Sequence, residues 1–202
     1  MVARSLVIAL ALSLCAVGLL SRAAPAQQQQ VFFVKPVAEK KLKELPAGPL
    51  YWRIETFPTL AQAQAAVGET SLAGEVSGKA WLFTLGPKGG STPGGSMVAE
   101  IGPVPPITAP EYLLRINHAG GPPGVKTAVH SHPGSEAFYV LAGRVGQRTP
   151  EGVSYAEAGS SMNGHPAETT MEVFSAGAVD LDQLVMFLVD ATKPFSSPAK
   201  FE

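Results

Sequence analysis

Gly124-Val-Lys-Thr-Ala-Val-His130-Ser-His132-Pro-Gly-Ser-Glu136-Ala-Phe-Tyr-Val-Leu-Ala-Gly143 is the stretch from which the fold can be read. His130 and His132 stand two apart on an apolar, strand-like segment, so both side chains point to one face. Pro133 and Gly134 suit the two central positions of a type II turn, which would carry Glu136 onto the adjoining strand. On that strand Phe138, Val140 and Ala142 share the face of Glu136, and all three are apolar. Two imidazoles and a carboxylate therefore converge at the mouth of an apolar interior. A carboxylate buried there without a partner carries a heavy desolvation penalty. One divalent metal ion bound by two neutral His and the carboxylate removes it.

Outward from this stretch, short strands and turns alternate closely. The pattern predicts strands over 111–118, 126–132, 136–142, 144–149, 152–157, 170–175 and 183–190, separated by Gly, Pro, Asn or Asp. So many strands in so few residues define an all-β sandwich or barrel. The 21 Gly and 18 Pro of the 202 residues fit many turns better than a helical bundle. Further upstream, 51–57, 80–85 and 97–101 read as strands, with Trp81, Phe83 and Leu85 on one side of the second. Thr59 can cap a short helix ending before Gly68. Residues 27–50 read as a tether with a short helix around 37–44. The proline-rich tail, 193–202, is unsuited to a central strand.

The quoted stretch resembles the first sequence motif of the cupin superfamily at every fixed position: Gly124, five residues, His130-x-His132, three residues, Glu136, six residues, Gly143. The resemblance covers about 110–190. It implies a jelly-roll β-barrel over 110–192, metal ligation by His130, His132 and Glu136, and turns at Gly124 and Gly143. The family's second motif is degenerate here. Its further His would fall at Thr170 counted from Gly159, or at Met171 counted from Pro166. His165, in the 159–169 loop, is the candidate fourth ligand, with His118, Met171 or water as alternatives. The metal is one of Fe, Mn, Zn, Ni or Cu; methionine would suit copper. Gln147 is placed to enter the barrel.

The N-terminus reads differently from the rest. Arg4 precedes an apolar run from Leu6 to Leu20, and Ala24-Pro-Ala26 offers small residues for cleavage, the order of a signal peptide over 1–26. The expectation is therefore an exported, periplasmic or secreted protein with no membrane span after cleavage. Cys15, the one cysteine, lies in that run, so the mature chain has no disulfide. Loss of Arg4 and Arg22 leaves 13 basic against 16 acidic residues. That mild balance does not point to nucleic acid as a partner. Residues 51–109 are expected to pack on the barrel as extra strands and a short helix, and a homodimer follows by analogy with cupins.

No G-x-S-x-G, H-E-x-x-H, C-x-x-C or G-x-G-x-x-G is present, and the glycine-rich 86–95 loop lacks the Gly-Lys-Ser/Thr ending of a phosphate loop. Two function classes follow. One is a metal-dependent oxygenase or isomerase acting on a small organic molecule within a lining drawn from Phe138, Val140, Met162, Met171 and Phe174. The other is a non-catalytic metal or small-ligand binding protein of the cell envelope.

Overall fold

The structure, a computed structural model, describes residues 31–202. The signal peptide and cleavage site expected over 1–26 lie outside the described residues. Among those residues no helix is long and apolar enough to cross a membrane. The chain runs through β1 (Phe33–Leu42), β2 (Tyr51–Phe57), α1 (Leu60–Ala65), β3 (Ser71–Val76), β4 (Lys79–Gly86) and β5 (Ser96–Ile101). It continues through β6 (Tyr112–Gly121), β7 (His130–Ser131), β8 (Gly134–Ala142), β9 (Arg144–Thr149) and β10 (Gly152–Glu157). The last elements are β11 (Ser161–Met162), β12 (Glu172–Ser175), β13 (Leu181–Asp190) and β14 (Ser197–Pro198).

All pairings between named strands are antiparallel. A five-stranded sheet has the order β1-β6-β13-β8-β11, and a three-stranded sheet the order β10-β9-β12. Together they enclose the barrel interior, where Phe138, Val140, Val185 and Phe187 of the larger sheet meet Val145 and Val173 of the smaller. A four-stranded sheet, β3-β4-β2-β5, covers the other face of the larger sheet. There Trp52, Ile54, Phe83 and Leu85 pack on Leu114, Ile116, Leu184 and Met186. The larger sheet is thus apolar on both faces. This explains why β13 is almost continuously apolar rather than alternating. Its odd-numbered residues 185, 187 and 189 face the barrel, and its even-numbered 184, 186 and 188 face the outer sheet.

Helix α1 closes the far side of the four-stranded sheet, with Ala63 against Leu82 and Ala80. Its N-cap is Thr59, whose hydroxyl accepts from the Gln62 N–H.

Two local expectations are corrected. Residues 33–42 form the edge strand β1, not a tether with a helix at 37–44. The polar run 39–44 has helical propensity, but pairing with β6 offers a full ladder of backbone hydrogen bonds. Pro36 lacks an N–H and is accommodated because β1 is an edge strand with a register shift at Pro36/Ala38. Pro133-Gly134 does not form a type II turn, for Gly134 opens β8 without a positive φ. Glycine is required there by space: a Cβ would lie 2.1 Å from the Leu188 carbonyl oxygen. Gly124 and Gly143 do hold positive φ, at 84° and 73°.

Candidate metal centre

β7 and β8 bring the metal-binding side chains together. His130 pairs with Met171 through two mutual backbone hydrogen bonds, which fixes the start of β7 against the three-stranded side. β14 secures the other edge, with Ser197 opposite Ser131. The imidazoles of His130 and His132 then stand with ring centroids 4.9 Å apart and nearly perpendicular. Glu136, on the inward phase of β8, completes a group whose candidate ligand atoms all lie within 4.8 Å of one another.

Each ring is oriented by its Nδ1. That of His130 lies 2.8 Å from the Ala128 carbonyl and that of His132 lies 2.6 Å from the Phe195 carbonyl. A carbonyl can only accept, so Nδ1 carries the proton and Nε2 keeps its lone pair. The Nε2 of His132 is 3.7 Å from Glu136 Oε2. The other carboxylate oxygen, Oε1, accepts from Gln147 Nε2 at 2.8 Å. His132 and Glu136 are 4% and 3% exposed.

At such burial the pair is not an ordinary ion pair. Desolvation pushes the Glu136 carboxyl up to about 8, against a smaller downward pull from Gln147. It pulls the His132 imidazole down to about 4; the Phe195 carbonyl opposes this, while His130 and Arg115 add to it. Burial thus pushes both groups toward their uncharged forms. Two imidazole nitrogens with one carboxylate suit a divalent transition ion. The residues present therefore fit the metal that the sequence motif implies. They occupy three positions, leaving others for water or a ligand.

A cavity of about 300 Å³ opens beside the triad, with walls that include Phe138, Val173, Val185, Phe187 and Phe195. Of the five lining residues expected from sequence, Phe138 alone lies in this wall. Met171 is buried behind the site with its sulfur 3.5 Å from Gln147 Nε2. Phe174 faces the other way, over Gly146 and edge-on to Tyr155. Strand alternation explains Phe174, since Val173 takes the inward phase, whereas Met171 shares that phase and is taken up by its contact with Gln147.

His165 does not join the triad. The 159–169 loop follows the edge of β8, with Gly164 against the Glu136 carbonyl and the Glu168 N–H donating to the His132 carbonyl. His165 is neither in the ligand group nor in the cavity wall. His118 lies between the cavity-facing Asn117 and Ala119, so it points outward and pairs with Asp182. Gln147 is the buried donor that orients Glu136.

Three site residues escaped the sequence reading. Phe195 comes from the tail, and no sequence signal places it over His132. Asn117 and Gln183 are the buried amides of β6 and β13. Their signal was available: a polar residue on the inward phase of an otherwise apolar strand.

A barrel of antiparallel strands with a His-x-His pair and a Glu meeting on its inner wall is a cupin-type jelly roll. No family model matches the chain, and no curated protein does. Solved structures similar to it include DMSP lyase DddQ from Ruegeria pomeroyi, at 18% identity and TM-score 0.38 over 43% of this chain and 43% of that one. A cupin-like protein from Thermotoga maritima matches at 16% identity and TM-score 0.39, over 43% of this chain and 64% of that one. A cupin superfamily protein from Desulfitobacterium hafniense matches at 16% identity and TM-score 0.34, over 38% and 68%. The matched region spans less than half of the lyase's length.

Proposed function

We propose that this chain is a metal-dependent cupin that transforms a small organic molecule in the cavity beside His130, His132 and Glu136. The observation that carries the reading is the junction of two features. Three convergent donors, poor in charge, stand at the wall of an apolar cavity of about 300 Å³, the size range of small-molecule sites. A divalent ion held there would supply Lewis-acid or redox chemistry at the cavity face.

The protein's own residues do the rest. The Ala128 and Phe195 carbonyls hold both rings in the tautomer that presents Nε2. Gln147 holds one oxygen of Glu136 and turns the other toward His132. Phe187 and Phe195 pack on the His132 ring and keep water from that side. Catalysis is favoured over simple storage of an ion because Met171 and Phe174 leave the cavity unfilled, so a second molecule can enter beside the donors.

The first test is metal content, by elemental mass spectrometry on untagged protein prepared without chelators, beside a His130→Ala/His132→Ala variant. About one equivalent of a single metal, lost in the variant, is the expected result, and its identity selects the assay: oxygen consumption for iron, isomerisation or hydrolysis for zinc or manganese. A protein that stays empty when offered each ion sinks the metal reading. The apolar run at 6–20 supports export of the mature chain. N-terminal sequencing of the secreted or periplasmic protein should begin at Gln27.

A further inference from the structure

Two buried amides on the cavity wall have no part in holding the triad. Gln183 is 1% exposed, and neither its Nε2 nor its Oε1 has a hydrogen-bond partner among the described residues. Its side chain lines the same cavity as the triad. Buried amides are almost always paired, and an unpaired one is a standing cost that an aliphatic residue would remove. Asn117, 2% exposed, lines the cavity as well. Its Oδ1 accepts from Arg115 Nε at 2.9 Å, which commits its Nδ2 to donating.

The strand register sets the spacing. Glu136 lies opposite Phe187, Phe138 opposite Val185 and Val140 opposite Gln183 on the β8–β13 pair, while Asn117 lies opposite Val185 on β6. Gln183 therefore stands four residues along β13 from the level of the carboxylate, about 13 Å by strand rise, with Asn117 midway. Besides Asn117, the positions between the two ends on β8 and β13, Phe138 and Val185, are apolar. Among the described residues, Glu136, His130 and His132 are the ionisable side chains lining the cavity, and Arg115 reaches its wall through Asn117.

We infer that Gln183, with Asn117 beside it, is the specificity contact for the end of the ligand remote from the triad, and that this end carries an uncharged group that both donates and accepts hydrogen bonds. A carboxamide is the type case: its oxygen accepts from the two amide NH₂ groups and its own N–H donates to Gln183 Oε1. A carboxylate at the same place can only accept, and would leave Gln183 Oε1 without a donor. A hydrocarbon end would leave Gln183 unsatisfied in the complex. The inference rests on the small-molecule reading of the cavity, and it does not require the metal.

The test uses benzamide, benzoate and toluene as probes, titrated against the full mature chain by NMR, once with Zn²⁺ and once in EDTA. The wild type is compared with Gln183→Leu and with Gln183→Met, which keeps the length of the side chain. Benzamide should bind the wild type at least tenfold more tightly than toluene, with benzoate weaker than benzamide. Both variants should reverse the benzamide–toluene order while melting no lower than the wild type, because they remove an unpaired amide. Equal binding of benzamide and toluene to the wild type would overturn the inference and leave the cavity reading standing. An unchanged order in both variants, with a lowered melting temperature, would make Gln183 a structural residue and equally overturn it. Failure of all three probes to bind, with or without Zn²⁺, would remove the small-molecule reading and the inference together.

Discussion

A carboxyl held near a pKa of 8 keeps its proton at neutral pH, so Glu136 faces His132 as a neutral acid until a cation arrives. For Glu136 the folded value lies above the usual 4.5, and the stability this contributes is complete below about pH 4.5 and lost as pH rises to about 8. For His132 the folded value, about 4, lies below the usual 6.5, so its contribution is present above pH 6.5 and lost as pH falls toward 4. The two slopes cancel between 4.5 and 6.5, and above 6.5 only that of Glu136 remains. Urea denaturation in EDTA should therefore show level stability between pH 5 and 6, then a loss of about 2 kcal/mol by pH 8. Glu136→Gln should abolish that loss, and should also abolish metal binding. Gln147→Leu leaves Glu136 without its orienting donor. Metal affinity should fall about 10- to 100-fold, read by competition with a chromophoric chelator.

Two elements act on the site from a distance. β14 and the residues before it supply the Phe195 carbonyl that holds His132 and a ring that packs on both His132 and Phe187. Arg115 in turn stacks over Phe195, 4.4 Å from its centroid. A chain ending at Lys193 should keep the barrel but bind metal about 10-fold or more less tightly, since ring orientation is then left to packing alone. In the outer sheet, Glu55 of β2 is 1% exposed and ties down the 86–95 loop. Its carboxylate accepts from Arg53 Nε at 3.1 Å, the Thr92 N–H at 2.8 Å and the Thr92 hydroxyl at 2.6 Å. Glu55→Ala would strand a mostly buried guanidinium. A loss of about 3 kcal/mol in urea unfolding is expected, with faster proteolysis between residues 86 and 95.

At the scale of the whole molecule, the five-stranded sheet belongs to two cores at once, the barrel interior on one face and the layer shared with the four-stranded sheet on the other. Neither core can be lost without stripping one face of β13. Deleting residues 51–101 would expose Leu114, Ile116, Leu184 and Met186 together, an apolar patch of the kind that drives association. The shortened chain should elute as aggregate in size-exclusion chromatography, where the full mature chain does not. Trp52→Ala should cost about 3–5 kcal/mol. It should also lower the melting temperature reported by a probe in the barrel, because the two cores share one sheet.

Alternation and turn residues in the sequence were enough to determine that the chain is an all-β sandwich or barrel, that β2, β9 and β10 lie where they do, and that His130 and His132 share a face; the barrel and the place of Glu136 rested on the resemblance of 124–143 to the cupin motif. Each of those depends on neighbours a few residues apart, and period-two geometry is local. Strand β1 was not legible, because its polar run prefers a helix until β6 offers an edge to pair with. Nor was the exclusion of His165, since a loop histidine's reach depends on which way the loop runs along β8. Phe195 over His132, Gln147 on Glu136 and the unpaired amide of Gln183 join residues 63, 11 and, for Gln183 and the Glu136 beside its cavity, 47 positions apart in the chain. Contacts of that kind follow from how the sheets close on one another, and only the tertiary structure could decide them.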